Sequence, residues 1–390
     1  MINRFGEESP AVTVPETPVP SAIDEQSEDV EAITSTFVYE STSTLENVAT
    51  ITSEALLYPS DGVVDATSTA TAATESSSEI AHKFDARSSS NIAVYFAQSP
   101  LTSSSSLTAQ CSDPNIDIVI LAFVVAAKSG GDYPAVNFGA ACNFDQTPIM
   151  AEKAPGLLRC PELAEQIEKC QGLGKKILLS TGGSTGQIAF ASDEDAVVFV
   201  KVIWGLFGPL GALDEGLRPF GKSVLDGFDI DNEDRHPESY TTLAKTFRSL
   251  FASGSDKPYY LSSAPQCPFP DESNPTDMLL LCDFVFVQFY NNPSCDIGSM
   301  GYETSLRQWA SALEKGVGKW YLGAPAWSQA GPTAYASIGG AKEMKKVVSD
   351  VVNQGFSNFG GVMFWAGPEA QANTEGGKDI IAWAKDGLTN

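Results

Sequence analysis

The sequence predicts an α/β protein: a closed (β/α)8 TIM barrel over residues 91–390, preceded by a disordered acidic Ser/Thr-rich tail over residues 1–90. Three observations carry this. Eight short apolar runs recur from Asn91 onward, helical stretches separate them, and composition shifts abruptly near residue 90. The runs are Ile92–Phe96, Ile116–Phe123, Lys176–Ser180, Val224–Ile230, Tyr259–Ser263, Phe284–Tyr290, Trp320–Ala324 and Gly361–Trp365. Most are near-continuously apolar rather than alternating, as parallel strands buried on both faces are. Repeated strand–helix alternation gives a parallel sheet. Eight strands in about 300 residues match a closed barrel, whose active-site residues stand at the C-terminal strand ends. A doubly wound open sheet is the rival, but no Gly-x-Gly-x-x-Gly fingerprint supports it.

The helical stretches follow in order. Pro161–Gln171 opens on proline and places Leu163, Ile167 and Cys170 on one face. Asp193–Leu206 starts with acids and carries Val197, Val198, Val200, Val202 and Ile203. Glu238–Phe251, Ser305–Lys315, Ala341–Asn353 and Lys378–Lys385 complete the set. Gly316 and Gly355 stand where a glycine is expected after a helix.

Composition separates tail from barrel. The chain has 390 residues, with 49 acids against 24 bases and a net charge of −25. Residues 1–90 hold 16 acids, 3 bases and 27 Ser/Thr, with no Cys or Trp. Such a segment cannot bury enough apolar surface to offset the entropy of ordering. It reads as an O-glycosylated stalk or as a plain disordered extension, with patches such as Ala55–Tyr58 touching the domain transiently. The negative charge opposes binding to a phosphate backbone, so no nucleic-acid partner is expected. No run of 18 apolar residues occurs, so no membrane span is expected. The two histidines, His82 and His236, are far apart, which argues against His-based metal clusters and Ser–His–Asp chemistry. Met1–Phe5 runs into Gly6–Glu8 without an apolar core, so no secretory signal is read there.

The sharpest chemistry lies in Leu225–Asp226–Gly227–Phe228–Asp229–Ile230–Asp231–Asn232–Glu233. Side chains alternate along a strand, so Asp229, Asp231 and Glu233 share one face, roughly 6–7 Å from one to the next. Three carboxylates converging at a buried barrel mouth cannot all ionise cheaply, and at least one proton is expected to stay near neutral pH. That suits a general acid acting on a glycosidic oxygen. A solvated acidic loop would not embed its acids among Val224, Leu225, Phe228 and Ile230, although Asp234 and Glu238 fit that description. Three carboxylates also attract hard cations, so a divalent-metal site is an alternative; none is assigned, and no cofactor is expected.

This strand resembles the Asp-Gly-x-Asp-x-Asp-x-Glu signature of glycoside hydrolase family 18. Ser180–Thr181–Gly182–Gly183 is similar to a second family motif, Ser-x-Gly-Gly. Ala264–Asp271, Val287–Pro293 and Gly360–Trp365 resemble the hevamine-type (class III) plant and fungal chitinases. The likeness covers nearly all of residues 91–385 and none of the tail. It implies a substrate-assisted mechanism with Glu233 as acid and base. Asp231 would hold the substrate acetamido group, Asp229 would share a proton with Asp231, and Tyr290 would bond the acetamido oxygen. Trp365 would floor the −1 sugar, with Gln288, Tyr95, Gln98 and Phe123 at subsites. Ser180, Gly182 and Gly183 would allow close packing beside the acidic strand.

Departures are visible. Tyr95–Phe96–Ala97–Gln98 stands where the family commonly has Tyr-Trp-Gly-Gln, and Ala366 follows Trp365 in place of an acid. The segment from Ala326 to Phe359 has room for one helix, so the extra α+β insertion of deep-cleft members is not expected, and an open groove with endo cleavage follows. Seven cysteines leave one over. Resemblance, not spacing, pairs Cys111 with Cys170, Cys142 with Cys160 and Cys267 with Cys295, leaving Cys282 as a buried inert thiol. Disulfides imply a secretory route and an extracellular or cell-wall location, in conflict with the unread signal. The expected protein is a monomeric chitinase acting on chitin or chitooligosaccharides. An endo-β-N-acetylglucosaminidase on N-glycans and an inactive sugar-binding barrel are the alternatives.

Overall fold

The computed structural model describes residues 83–253 and 257–389. The tail reading, including Ala55–Tyr58 and His82, lies outside the described residues, apart from Lys83 onward. Eight parallel strands close into a barrel: β1 (Asn91–Phe96), β2 (Ile118–Ala126), β3 (Lys176–Gly182), β4 (Gly227–Asp231), β5 (Tyr260–Ser263), β6 (Phe284–Gln288), β7 (Lys319–Pro325) and β8 (Phe359–Trp365). Each pairs with the next in sequence, and β1 pairs with both β2 and β8, which shuts the ring. All eight apolar runs become strands, with ends shifted by at most three residues. The exceptions in direction are small: Ala135–Val136 adds antiparallel to β2, and Thr374–Glu375 pairs with Lys378–Asp379.

Strand alternation divides the apolar residues into two layers. Ala93 and Tyr95 of β1, Ile118 and Ile120 of β2, Leu178 of β3, and Phe284 and Phe286 of β6 fill the barrel interior. Their neighbours Ile92, Val94, Val119, Leu121, Ile177, Leu179, Phe228 and Ile230 face outward beneath the helices. Phe84 caps the end where the strands begin, its ring edge-on to Tyr260 and Phe284 at 5.5 and 6.1 Å.

The helices depart from expectation where periodicity is short. Pro161–Gly172, Asp193–Phe207 and Tyr240–Ala252 lie close to their expected positions. In the second of these Val198 stays half exposed while Phe199, Val200 and Ile203 are buried. The helix expected over Ser305–Lys315 is Tyr302–Ala312, so Gly316 lies beyond its end and does not cap it. Gly355 does turn the chain, at φ +73°, after Met344–Val352. Lys378 lies in the small hairpin, and the last helix is Ile380–Leu388. The expectation of one helix between Ala326 and Phe359 is corrected: two form, Pro332–Ile338 and Met344–Val352, with no strand between them. Gly339 at φ +86° ends the first, which makes room for the second. Among the described residues no helix is long and apolar enough to cross a membrane.

Three disulfides staple the outer layer: Cys111–Cys170, Cys142–Cys160 and Cys267–Cys295. Cys282 is free and buried, and burial pushes its thiol pKa up, so it stays an unreactive thiol. The first bridge spans 59 residues and the second 18. Loop-closure entropy grows with the closed length, so the double variant Cys111→Ala/Cys170→Ala should lose about 4 kcal/mol and Cys142→Ala/Cys160→Ala about 3 kcal/mol. Urea denaturation measures both; the opposite order would refute a loop-entropy origin.

Candidate active site

The site grows from one buried carboxylate. Asp229 points into the barrel from β4, fully out of contact with water. Register sets Ser180 of β3 on one side of it and Ser262 of β5 on the other. Ser180 Oγ donates to Asp229 Oδ2 at 2.7 Å, Tyr95 Oη donates to the same oxygen at 2.8 Å, and Ser262 Oγ donates to Oδ1 at 2.6 Å. Burial raises the Asp229 pKa, and these hydroxyl bonds oppose the rise.

Two residues on, Asp231 is also buried and accepts from Gln288 Nε2 at 3.0 Å. Burial lifts its pKa well above the ordinary carboxylate range, and the charges of Glu233, Asp229 and Asp271 lift it further. Glu233 lies beyond the strand end and is only partly buried. Burial raises it, the hydrogen bond from Gln266 Nε2 to Oε2 at 2.9 Å opposes, and Asp271 adds to the rise. The end of β3 presses against this segment. Gly182 sits at φ +109°, and a Cβ there would lie 2.2 Å from the Asp231 carbonyl oxygen, which Gly183 N–H reaches at 2.8 Å. Only glycine satisfies both demands at position 182.

A cavity of about 260 Å³ opens above these acids. Glu233, Asp231, Tyr290, Gln288, Trp365, Tyr95, Gln98 and Phe123 all line it, whereas Asp229 lies beneath and does not. Tyr290 is buried, and burial followed by the charges of Asp231 and Glu233 keeps its hydroxyl protonated. Trp365 is partly exposed, stacked on Phe123 at 5.9 Å and tilted against Tyr95 at 5.5 Å. It can therefore present a fixed apolar face. Among the described residues no three His, Cys, Asp or Glu side chains are arranged to hold a metal ion.

The sequence reading assigned no role to the groups that orient Glu233. Gln266 is held by Asn292, whose Nδ2 donates to Gln266 Oε1 at 3.0 Å, and by Asp271, which accepts from the Gln266 N–H at 3.0 Å. Asp271 also takes the Ser273 and Asn274 N–H groups. A period-two reading from Ser262 through Ala264 to Gln266 would have aimed Gln266 at the same face. Asn292 and Asp271 carry no such signal.

A model of glycosyl hydrolases family 18 matches residues 91–331. Endochitinase 3 of Metarhizium robertsii is 38% identical over 278 residues, which are 70% of this chain and 84% of that protein. The endochitinase of Saccharomyces cerevisiae is 36% identical over 309 residues, 79% of this chain and 52% of that protein, so the chain spans about half the yeast relative. The crystal structure of the ICChI chitinase from Ipomoea carnea superposes with a TM-score of 0.61 at 28% identity, covering 76% of this chain and 99% of that one. The chain belongs to glycoside hydrolase family 18.

The raised acids have a stability consequence. A carboxyl whose pKa is higher folded than unfolded favours the folded state at low pH, and that contribution is lost as pH rises through the raised value. Asp231→Asn removes the ionisation and still accepts from Gln288. The variant should melt higher than the parent at neutral pH, with the gap closing below about pH 4, the ordinary carboxylate pKa. Melting curves across pH measure this; a variant that melts lower at neutral pH would contradict the direction.

Proposed function

We propose that this glycoside hydrolase is an endo-acting chitinase that cleaves β-1,4 bonds between N-acetylglucosamine units with retention, assisted by the substrate. The observation that carries the reading is Glu233 at the cavity wall, raised toward its neutral form and held by Gln266. An acid poised in this way can donate at neutral pH.

Glu233 gives its proton to the glycosidic oxygen as the bond from C1 to that oxygen breaks. The acetamido carbonyl oxygen of the same sugar forms the new bond to C1, giving an oxazolinium ion. No second enzyme nucleophile is required, an exception among retaining glycosidases. Asp231 accepts the acetamido N–H and stabilises the positive charge. Asp229 lies buried beneath it and would share a proton with Asp231, its charge raising the Asp231 pKa. Tyr290 donates its hydroxyl to the attacking acetamido oxygen. Water then adds at C1, and Glu233 takes its proton.

Trp365 would sit beneath the reacting sugar, with Tyr95, Gln98, Phe123 and Gln288 around it. The helices between β7 and β8 bring no added sheet to wall the mouth, which favours attack within a chain. Three disulfides favour an extracellular or cell-wall location. The protein is read as a monomer whose partner is chitin or chitooligosaccharides.

Glu233→Gln should cut turnover of chitotetraose by at least about 10²-fold while leaving its binding intact. Calorimetry and product chromatography read the two quantities. Unchanged turnover would remove Glu233 from the role of acid. Release of glycan from a high-mannose glycoprotein without cleavage of chitotetraose would instead assign the barrel to N-glycans, and binding without either reaction would make it a lectin-like protein.

A further inference from the structure

Glu233 lines the catalytic cavity, but the amide that ties it is not part of the cavity wall. That amide is Gln266, on the loop after β5, whose Nε2 donates to Glu233 Oε2 at 2.9 Å. The direction of this bond is set by Asn292, on the loop after β6. Its Nδ2 donates to the Tyr290 carbonyl oxygen at 3.3 Å and to Gln266 Oε1 at 3.0 Å. A backbone carbonyl only accepts, so the nitrogen of Asn292 is the end that lies there. The oxygen of Gln266 is then the end that meets Asn292, and its nitrogen is the end that meets Glu233.

Both amides project from fixed backbone. Gln266 bridges to Gln288 at the end of β6. Its N–H donates to Asp271 Oδ2 at 3.0 Å, and the Asn292 N–H donates to Asp296 Oδ1 at 2.6 Å. The Cys267–Cys295 disulfide joins the two loops beside them.

In a protonated carboxyl one oxygen accepts as a carbonyl and the other carries the proton. An N–H aimed at Oε2 makes that oxygen the carbonyl. When the proton leaves, Glu233 becomes a carboxylate, and the bond from Gln266 strengthens because its acceptor is now charged. We propose that Gln266, oriented by Asn292, is the positioning residue of the acid: it reserves Glu233 Oε2 as an acceptor, so that the transferable proton sits on Oε1 and passes from there to the glycosidic oxygen. The bond from Oε1 to hydrogen breaks, the leaving oxygen gains the proton, and Gln266 meets the charge left on Glu233. The assignment rests on the proposed role of Glu233 as acid.

A pH signature follows. Among the described residues Asp231 on β4, Asp271 after β5 and Tyr290 after β6 are the titratable groups that face Glu233. Beyond them Arg235 pairs with Glu272 at 3.2 Å, and Asp234 lies 3.5 Å from His236. Gln266 is neutral, so replacing it leaves these charges in place and removes a bond that favours the ionised form of Glu233. Glu233 acts as an acid when protonated, so the alkaline limb of kcat/KM reports its titration, shared with Asp231. Loss of the bond moves that limb to higher pH.

In the full chain, Gln266→Leu should lower kcat on chitotetraose about tenfold with KM little changed, and should move the alkaline limb upward. Asn292→Ala should do the same to a smaller degree, and the double variant should cost no more than Gln266→Leu alone. Melting temperatures report folding. Gln266→Met stands in if Gln266→Leu does not fold, and the Gln266 variant decides alone if Asn292→Ala does not. An unmoved or lowered limb, or additive losses in the double variant, would overturn the positioning role and leave Glu233 as the acid. If the parent cleaves a high-mannose glycoprotein and not chitotetraose, the same profile on that glycan would support the positioning role while the chitin reading falls. Unchanged turnover in Glu233→Gln would overturn the acid and the role of Gln266 with it.

Discussion

The structure depends on keeping one carboxylate, Asp229, inside a parallel barrel. A charge there is sealed from solvent and has no basic partner among the described residues, so its free energy rests on hydroxyl donors. The donors come from three different strands: Tyr95 of β1, Ser180 of β3 and Ser262 of β5. A slip of one residue in either neighbouring strand would turn Ser180 or Ser262 to the outer layer, and in one direction would put Leu179 or Leu261 in its place. The polar cluster therefore fixes register as well as charge. With register fixed, Asp231 reaches Gln288 on β6, and Glu233 emerges at the rim where Gln266 meets it.

From the floor to the rim, exposure rises and function changes with it. Asp229 is sealed and lies outside the cavity lining, Asp231 is buried but lines the cavity, and Glu233 is partly open. Each carboxyl is raised first by burial; at Asp231 the charges of Glu233, Asp229 and Asp271 add to the rise, and at Glu233 that of Asp271 does. Gln266 and its supports Asn292 and Asp271 then select which Glu233 oxygen is tied, in a side chain that lines the cavity. The orientation is thus set by a chain of fixed amides rather than by a single contact.

Much of this was legible in the sequence because the barrel obeys local rules. Period-two alternation put Asp229, Asp231 and Glu233 on one face, and the apolar runs marked all eight strands. Gly182 was readable as a point of close approach, although its positive φ was not. What was hidden depends on contacts between distant segments. Ser262, Asp271 and Asn292 are ordinary loop and strand residues until the ring closes. The helices Leu107–Ser112, Thr276–Leu279 and Gly367–Ala372 are too short to show a helical period. The helix Pro332–Ile338 was missed because it is only seven residues long, too short to show a helical period, whereas Met344–Val352 after it was legible. Cysteine spacing alone admitted many pairings.

The central claim is that burial holds a proton within the Asp229, Asp231 and Glu233 cluster near neutral pH. Difference infrared spectroscopy of the folded protein against Asp231→Asn and Glu233→Gln measures it directly, through the carbonyl stretch of a protonated carboxyl. The account requires that band at neutral pH in the parent, reduced in at least one variant and lost on unfolding. Three fully ionised carboxylates in the native parent at neutral pH would contradict it.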